Sequence, residues 1–209
     1  MSFQSGDLII LVADSYMEAI ISSVISNNAK IGIRRIDYKV YRHPQHDPGC
    51  LLRAHHFLRP FARNFRFCLV LFDYEGCGQK SIDYVEIENS VKADLDKNGW
   101  SDRSDVIMIV PELEVWLWSD SPHVDFHLGW QGRLPVLRDW LKEQGLLEER
   151  DSKPKQPKEA LMTAIRESRK SLSSSIYKKI AQDVSYERCS DRSFIKLKRI
   201  LRNWFPENP

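Results

Sequence analysis

Long hydrophobic runs are missing from this 209-residue chain. A bilayer-spanning helix takes roughly 18–20 consecutive apolar residues, whereas the longest apolar stretches, Leu8–Ala13 and Cys68–Phe72, have the length of core strands. The stretch Met1–Asp7 has neither a basic n-region nor an apolar h-region, so no signal peptide, no membrane partner and a cytoplasmic location are expected. Paired cysteines are missing too. Cys50, Cys68, Cys77 and Cys189 are scattered with no C-x-x-C, which argues against a disulfide framework or a cysteine-rich zinc site. Glycine and proline are sparse, at 9 and 10 residues, and there is no internal repeat or long low-complexity tract. With 42% apolar and 29% charged residues, the chain can bury a core, which excludes a disordered or fibrous protein.

What is present alternates. Leu8–Ala13 reads as a strand buried on both faces, and Asp14–Asn28 switches to helical spacing, with Asp14-Ser15 as its N-cap. Ile36–Tyr41 reads as a second strand, and His43–Cys50 (HPQHDPGC) as a loop because it holds two prolines and a glycine. Leu51–Phe61 is helical, Phe67–Phe72 a buried strand, Ile82–Asn98 an amphipathic helix and Val106–Val110 a fourth strand. Strands separated by helices predict βαβ units and an α/β fold with a mostly parallel sheet. Beyond about residue 130 strand signals stop, and Leu134–Gln144, Lys158–Lys170, Ser174–Asp183 and Ser193–Trp204 all read as helices, with Ser152–Lys158 as a linker. The expected organisation is an α/β domain over 1–130 and a helical extension packed on it over 131–209.

The net charge of +2 conceals an asymmetry: residues 1–150 hold 17 Lys/Arg against 22 Asp/Glu, and residues 151–209 hold 14 against 7. An acidic front suits a cation site and a basic tail attracts a polyanion, while two faces that neutralise one another explain the same numbers. Ligands of open parallel sheets bind beyond the carboxyl ends of the strands, and acids stand there. The first strand runs into Asp14, with Glu18 one helical turn on. The third ends in Asp73-Tyr74-Glu75, whose two acids share a face in extended geometry, and the fourth in Pro111-Glu112-Leu113-Glu114. Gly76 and Gly78 then allow a tight bend and a close backbone approach. Such carboxylates repel one another unless a cation neutralises them, and oxygen ligands suit Mg²⁺ or Mn²⁺. Singly, Asp14 is also explained as an N-cap, Asp73 as a turn former and Glu112 as a first-turn helix acid.

At these residues the chain resembles the Toprim fold of topoisomerases, primases and overcoming-lysogenisation-defect nucleases. That family has a Glu at the end of its first strand, often within E-G-Y-M-D, where this chain has Asp14-Ser15-Tyr16-Met17-Glu18 with the acid types exchanged and Ser for Gly. The family's Asp-x-Asp resembles Asp73-Tyr74-Glu75. The segments LVADSYMEA, HPQHDPGC, LFDYEGCG, PELEVWLWSDSPHV and PKEAL, with the basic C-terminal helix, are similar to a small uncharacterised family encoded with bacterial methylation-associated antiphage defence systems. The resemblance implies a Toprim-like fold, Asp14 as general acid/base with Glu18 beside it, and metal held by Asp73, Glu75 and Glu112. It also implies other defence-system subunits as partners.

The remaining constellations are less specific. His43, His46 and Cys50 could ligate zinc only with a fourth ligand from elsewhere. His46-Asp47 instead suits the rim of the acidic site, where the imidazole could touch a phosphate. Lys153, Lys155, Lys158 and Lys178 head the cations of the tail, which would grip DNA or RNA through phosphates or simply form a solvated face. The expectation is a Mg²⁺- or Mn²⁺-dependent nuclease or nucleic-acid-processing component of antiphage defence. Its competitors are a non-catalytic assembly or sensor subunit and a binder of a phosphorylated small molecule.

Overall fold

A computed structural model describes residues 6–79, 81–119, 121–183 and 189–207; Met1–Ser5 of the stretch read for a leader lie outside the described residues. Four strands form one parallel sheet in the order β2-β1-β3-β4. They are β1 (Gly6–Val12), β2 (Tyr38–Arg42), β3 (Phe65–Asp73) and β4 (Ser104–Ile109). The continuous apolar runs form the two central strands, and residues Leu8–Val12 and Cys68–Phe72 are fully buried, as expected of strands covered on both faces. Helices α1 (Ser15–Ser26), α2 (Asn28–Ile31), α3 (His46–Leu58) and α4 (Tyr84–Leu95) supply the connections.

One expected loop is a helix. HPQHDPGC contributes the whole first turn of α3, which starts at His46. Pro48 falls at the third helical position, where a missing N–H breaks no intrahelical bond. Gly49 is required by packing rather than flexibility, because a Cβ there would lie 1.9 Å from the His43 ring. Proline and glycine favour a loop by type, but their position in the first turn makes them compatible with helix.

After β4 a 3₁₀ turn (Leu113–Trp116) leads to α5 (Pro122–His127), α6 (Leu137–Glu143), α7 (Pro157–Glu167), α8 (Ser174–Asp183) and α9 (Arg192–Trp204). Tyr177 of α8 packs in a tilted arrangement against Tyr16 of α1, with centroids 4.6 Å apart. At the end of α9, Trp204 stacks on Phe67 of β3 at 4.6 Å. One hydrophobic cluster runs from Leu8 to Phe205, so the C-terminal helices share the core of the sheet. Among the described residues no helix is long and apolar enough to cross a membrane.

Candidate functional site: a carboxylate cluster at the carboxyl edge of the sheet

Asp14 follows β1 directly and caps α1, its Oδ1 accepting from the N–H groups of Tyr16 and Met17 at 2.8 and 2.9 Å. Both cap bonds fall on one oxygen, leaving Oδ2 outside the cap. Asp73 closes β3, and its own N–H donates to Asp47 Oδ1 at 2.8 Å. The start of α3 is thereby tied to the end of β3. The loop after β3 closes over this pair only because residue 76 is glycine: a Cβ there would sit 2.3 Å from Asp47 Oδ2. The close approach expected of the glycines is to the protein's own carboxylate.

Glu112 and Glu114 enter from the 3₁₀ turn after β4. Glu114 is 3% exposed, and its Oε1 accepts from the Tyr177 hydroxyl at 2.6 Å. Glu112 Oε1 accepts from the N–H of Lys158 at 3.1 Å, and the Lys158 ammonium lies 4.0 Å from its Oε2. The remaining oxygens, Glu114 Oε2 and Asp73 Oδ1, are buried with no hydrogen-bond partner. A buried acceptor left unmade costs about 1–3 kcal/mol, and more if it is charged.

The protonation equilibria record this crowding. Burial pushes the Asp73 carboxyl well above the ordinary range, reinforced by Asp47, Glu114 and Asp14 and tempered by the Leu113 N–H. Burial likewise raises Asp47, with Asp14 adding to the shift, and raises Glu112, with Glu114 and Glu75 adding to it. Lys158 answers in kind: Glu114, Glu112, Asp73 and Asp14 outweigh its burial and hold it protonated. Burial beside Glu114 raises the Tyr177 phenol, and burial beside Asp47 raises the Cys50 thiol, so neither is ionised near neutrality. First-turn N–H groups of α1 and α7 donate to Asp14 and Glu112 and offset part of the negative charge.

Not every expected residue joins the cluster. Glu18 turns to Arg42 at the end of β2, 3.2 Å from its Nε. Glu75 is exposed and lines an open groove of about 760 Å³ with Tyr16, Glu112, Lys155 and Lys158. His46 stands at the rim with Nδ1 3.2 Å from the Ala13 carbonyl. Among the described tail cations, Lys158 reaches the acids. Lys153 donates to the Val115 carbonyl at 2.8 Å, Lys155 pairs with Glu148, and Lys178 is exposed on α8. Trp116 is buried in the cluster's 3₁₀ turn, its indole N–H donating to Asp191 and Ser193. Asp47 and Glu114 are the members that sequence reasoning underrated. A signal existed for Glu114, an acid enclosed by the apolar run Leu113–Trp118; its tie to Tyr177, 63 residues away, left none.

Among the described residues no three His, Cys, Asp or Glu side chains stand at metal-ligand spacing. The donor chemistry nevertheless fits a hard divalent cation: the two orphaned carboxylate oxygens are the type such an ion takes. No family model matches the chain, and no curated protein or solved structure is significantly similar to it.

Proposed function

We propose that this chain is a Toprim-like, Mg²⁺- or Mn²⁺-dependent nuclease or nucleic-acid-processing component of a bacterial antiphage defence system, acting in the cytoplasm with other subunits of that system. The observation that carries the reading is the pair of buried, unpartnered oxygens, Asp73 Oδ1 and Glu114 Oε2, at the ligand-binding edge of a parallel sheet. Asp73 and Glu114 would hold the cation, with Asp14 and Asp47 next to them and Glu112 and Glu75 toward solvent. When bound, such an ion polarises a phosphoryl oxygen and lowers the pKa of water. The chain's own residues do the rest. Asp14 Oδ2, free of the helix cap, exchanges the proton, and Tyr177 fixes Glu114. Lys158, the tail cation at the cluster among the described residues, faces the phosphate.

The decisive assay incubates purified protein with labelled single- and double-stranded DNA and RNA in Mg²⁺, Mn²⁺ or EDTA. Cleavage is expected with metal and not with EDTA, falling about a hundredfold or more in Asp73→Asn, which removes a ligand charge. Absence of cleavage of all four substrates would overturn the nuclease reading.

A second reading is favoured by Lys158, whose ammonium already supplies positive charge to these acids. In that reading the chain is a non-catalytic assembly or sensor subunit that keeps the fold while an internal cation stands in for the metal. Asp73→Asn would then leave defence intact.

A further inference from the structure

The opposite edge of the sheet carries a second charged feature. The turn after α3 (Arg59–Phe61) and the turn after α4 (Asp96–Trp100) lead toward the amino ends of β3 and β4 and border an open groove of about 690 Å³. Arg59, Arg63, Lys97 and Arg103 line it together with Asn98 and Gly99, and among the described residues no carboxylate lines it. At about 3.3 Å per residue, β3 separates this groove from the acid cluster by roughly 25–30 Å.

Arg103 is fixed in place. Its guanidinium donates to the carbonyls of Phe65, Arg66, Ala62 and Gly99 and lies 5.0 Å over the Trp100 ring. All four acceptors are neutral, so the hydrogen bonds immobilise the cation without cancelling its charge. Arg59 and Arg63 are exposed, and among the described residues neither they nor Arg103 forms an ion pair. Lys97 leans toward Asp94 at 3.6 Å, but both are solvated, and such pairs are worth little. Gly99, at φ +94°, lets the two turns close: a Cβ there would press on Ala62 at 3.3 Å. Cations also complement the dipoles at helix carboxyl ends, which explains Arg59 and Lys97, and Arg103 ties the two turns together through their carbonyls; neither role accounts for Arg63.

Arg103, its Nη donors taken by carbonyls, supplies a fixed positive charge, while the exposed guanidinium groups of Arg59 and Arg63 that line the same concavity match bidentate recognition of phosphate. We propose that this groove is a phosphate-binding site for two linked phosphoryl groups, presented as successive phosphates of a nucleic-acid strand or as the pyrophosphate of a free nucleotide. The site is independent of the carboxylate cluster and needs no divalent ion.

The test is done in EDTA at low salt on the full chain, which separates it from any cleavage. A labelled single-stranded 12-mer is followed by fluorescence anisotropy and inorganic pyrophosphate by calorimetry. The double reversal Arg59→Glu/Arg63→Glu should weaken binding about tenfold or more, with an unchanged circular dichroism spectrum. The charge-matched control Arg35→Glu/Arg150→Glu, away from the groove, should stay near the parent value. Loss for the oligonucleotide assigns a strand as the source, and loss for pyrophosphate alone assigns a free nucleotide. Binding of neither probe by the parent chain, or equal loss in the control pair, overturns the proposal whatever the nuclease assay shows.

Discussion

Asp73 ends the third strand with one carboxylate oxygen buried and unpaired, and its acidity should be legible in the stability of the metal-free chain. Its folded-state pKa lies above the unfolded value of about 3.9, as do those of Asp47 and Glu112 relative to their own. The native state therefore binds these protons more tightly. Their contribution is fully present below the unfolded pKa and is lost as pH rises through the native value. Asp7 works the other way. The Arg34 guanidinium, 2.6 Å from Asp7 Oδ1, holds its carboxyl down, so that contribution is present at neutral pH and lost in acid. The metal-free thermal midpoint should accordingly fall as pH rises from 5 to 8. Asp73→Asn should flatten that fall and raise the thermal midpoint at pH 8. A midpoint that climbs across the same range, or a variant as pH-dependent as the parent, would contradict the burial of an unpaired acid.

At the scale of elements, the acids of the sheet edge depend on how β4 is held, since β4 is an edge strand. Glu88 of α4 is 3% exposed and accepts from the Met108 N–H at 2.9 Å. Arg192 and Lys196 of α9 reach the same carboxylate at 2.8 and 3.0 Å, and Lys196 also donates to the Val106 carbonyl at 2.6 Å. Side chains thus satisfy backbone groups that an edge strand would leave exposed. Glu88→Ala leaves a backbone donor and two cations without their partner and should cost about 3–5 kcal/mol in urea denaturation; a loss under 1 kcal/mol would show that the clasp is incidental. None of this was visible in the sequence, where Glu88 is one more polar position of an amphipathic helix. The strands were legible because LIILVA and FCLVLF have no other use in a chain of this size, and α8 falls at its expected residues Ser174–Asp183. The start of α3 was not, because proline and glycine there were judged by type rather than by place in the turn. The strand-end acids Asp14, Asp73 and Glu112 were legible from topology, whereas Asp47 and Glu114 owe their importance to packing between distant segments.

For the whole molecule, the acidic front and basic tail are partly closed on each other. Arg192 and Lys196 meet Glu88, Lys196 also meets Asp105 at 3.3 Å, and Lys158 meets Glu112. The tail is therefore less a free polycation than its composition suggests. What charge remains is polarised along the sheet, with carboxylates at the carboxyl edge and guanidinium groups at the amino edge. The proposal as a whole stands on the carboxyl edge taking up a divalent cation. Calorimetric titration of the metal-free chain with Mn²⁺, paired with its thermal midpoint, tests this most directly, because a ligand bound only by the folded state must raise stability. The expected result is saturable binding of one ion per chain with a rising midpoint, both lost in Asp73→Asn. No binding heat and an unmoved midpoint, or a response that survives Asp73→Asn, would contradict it.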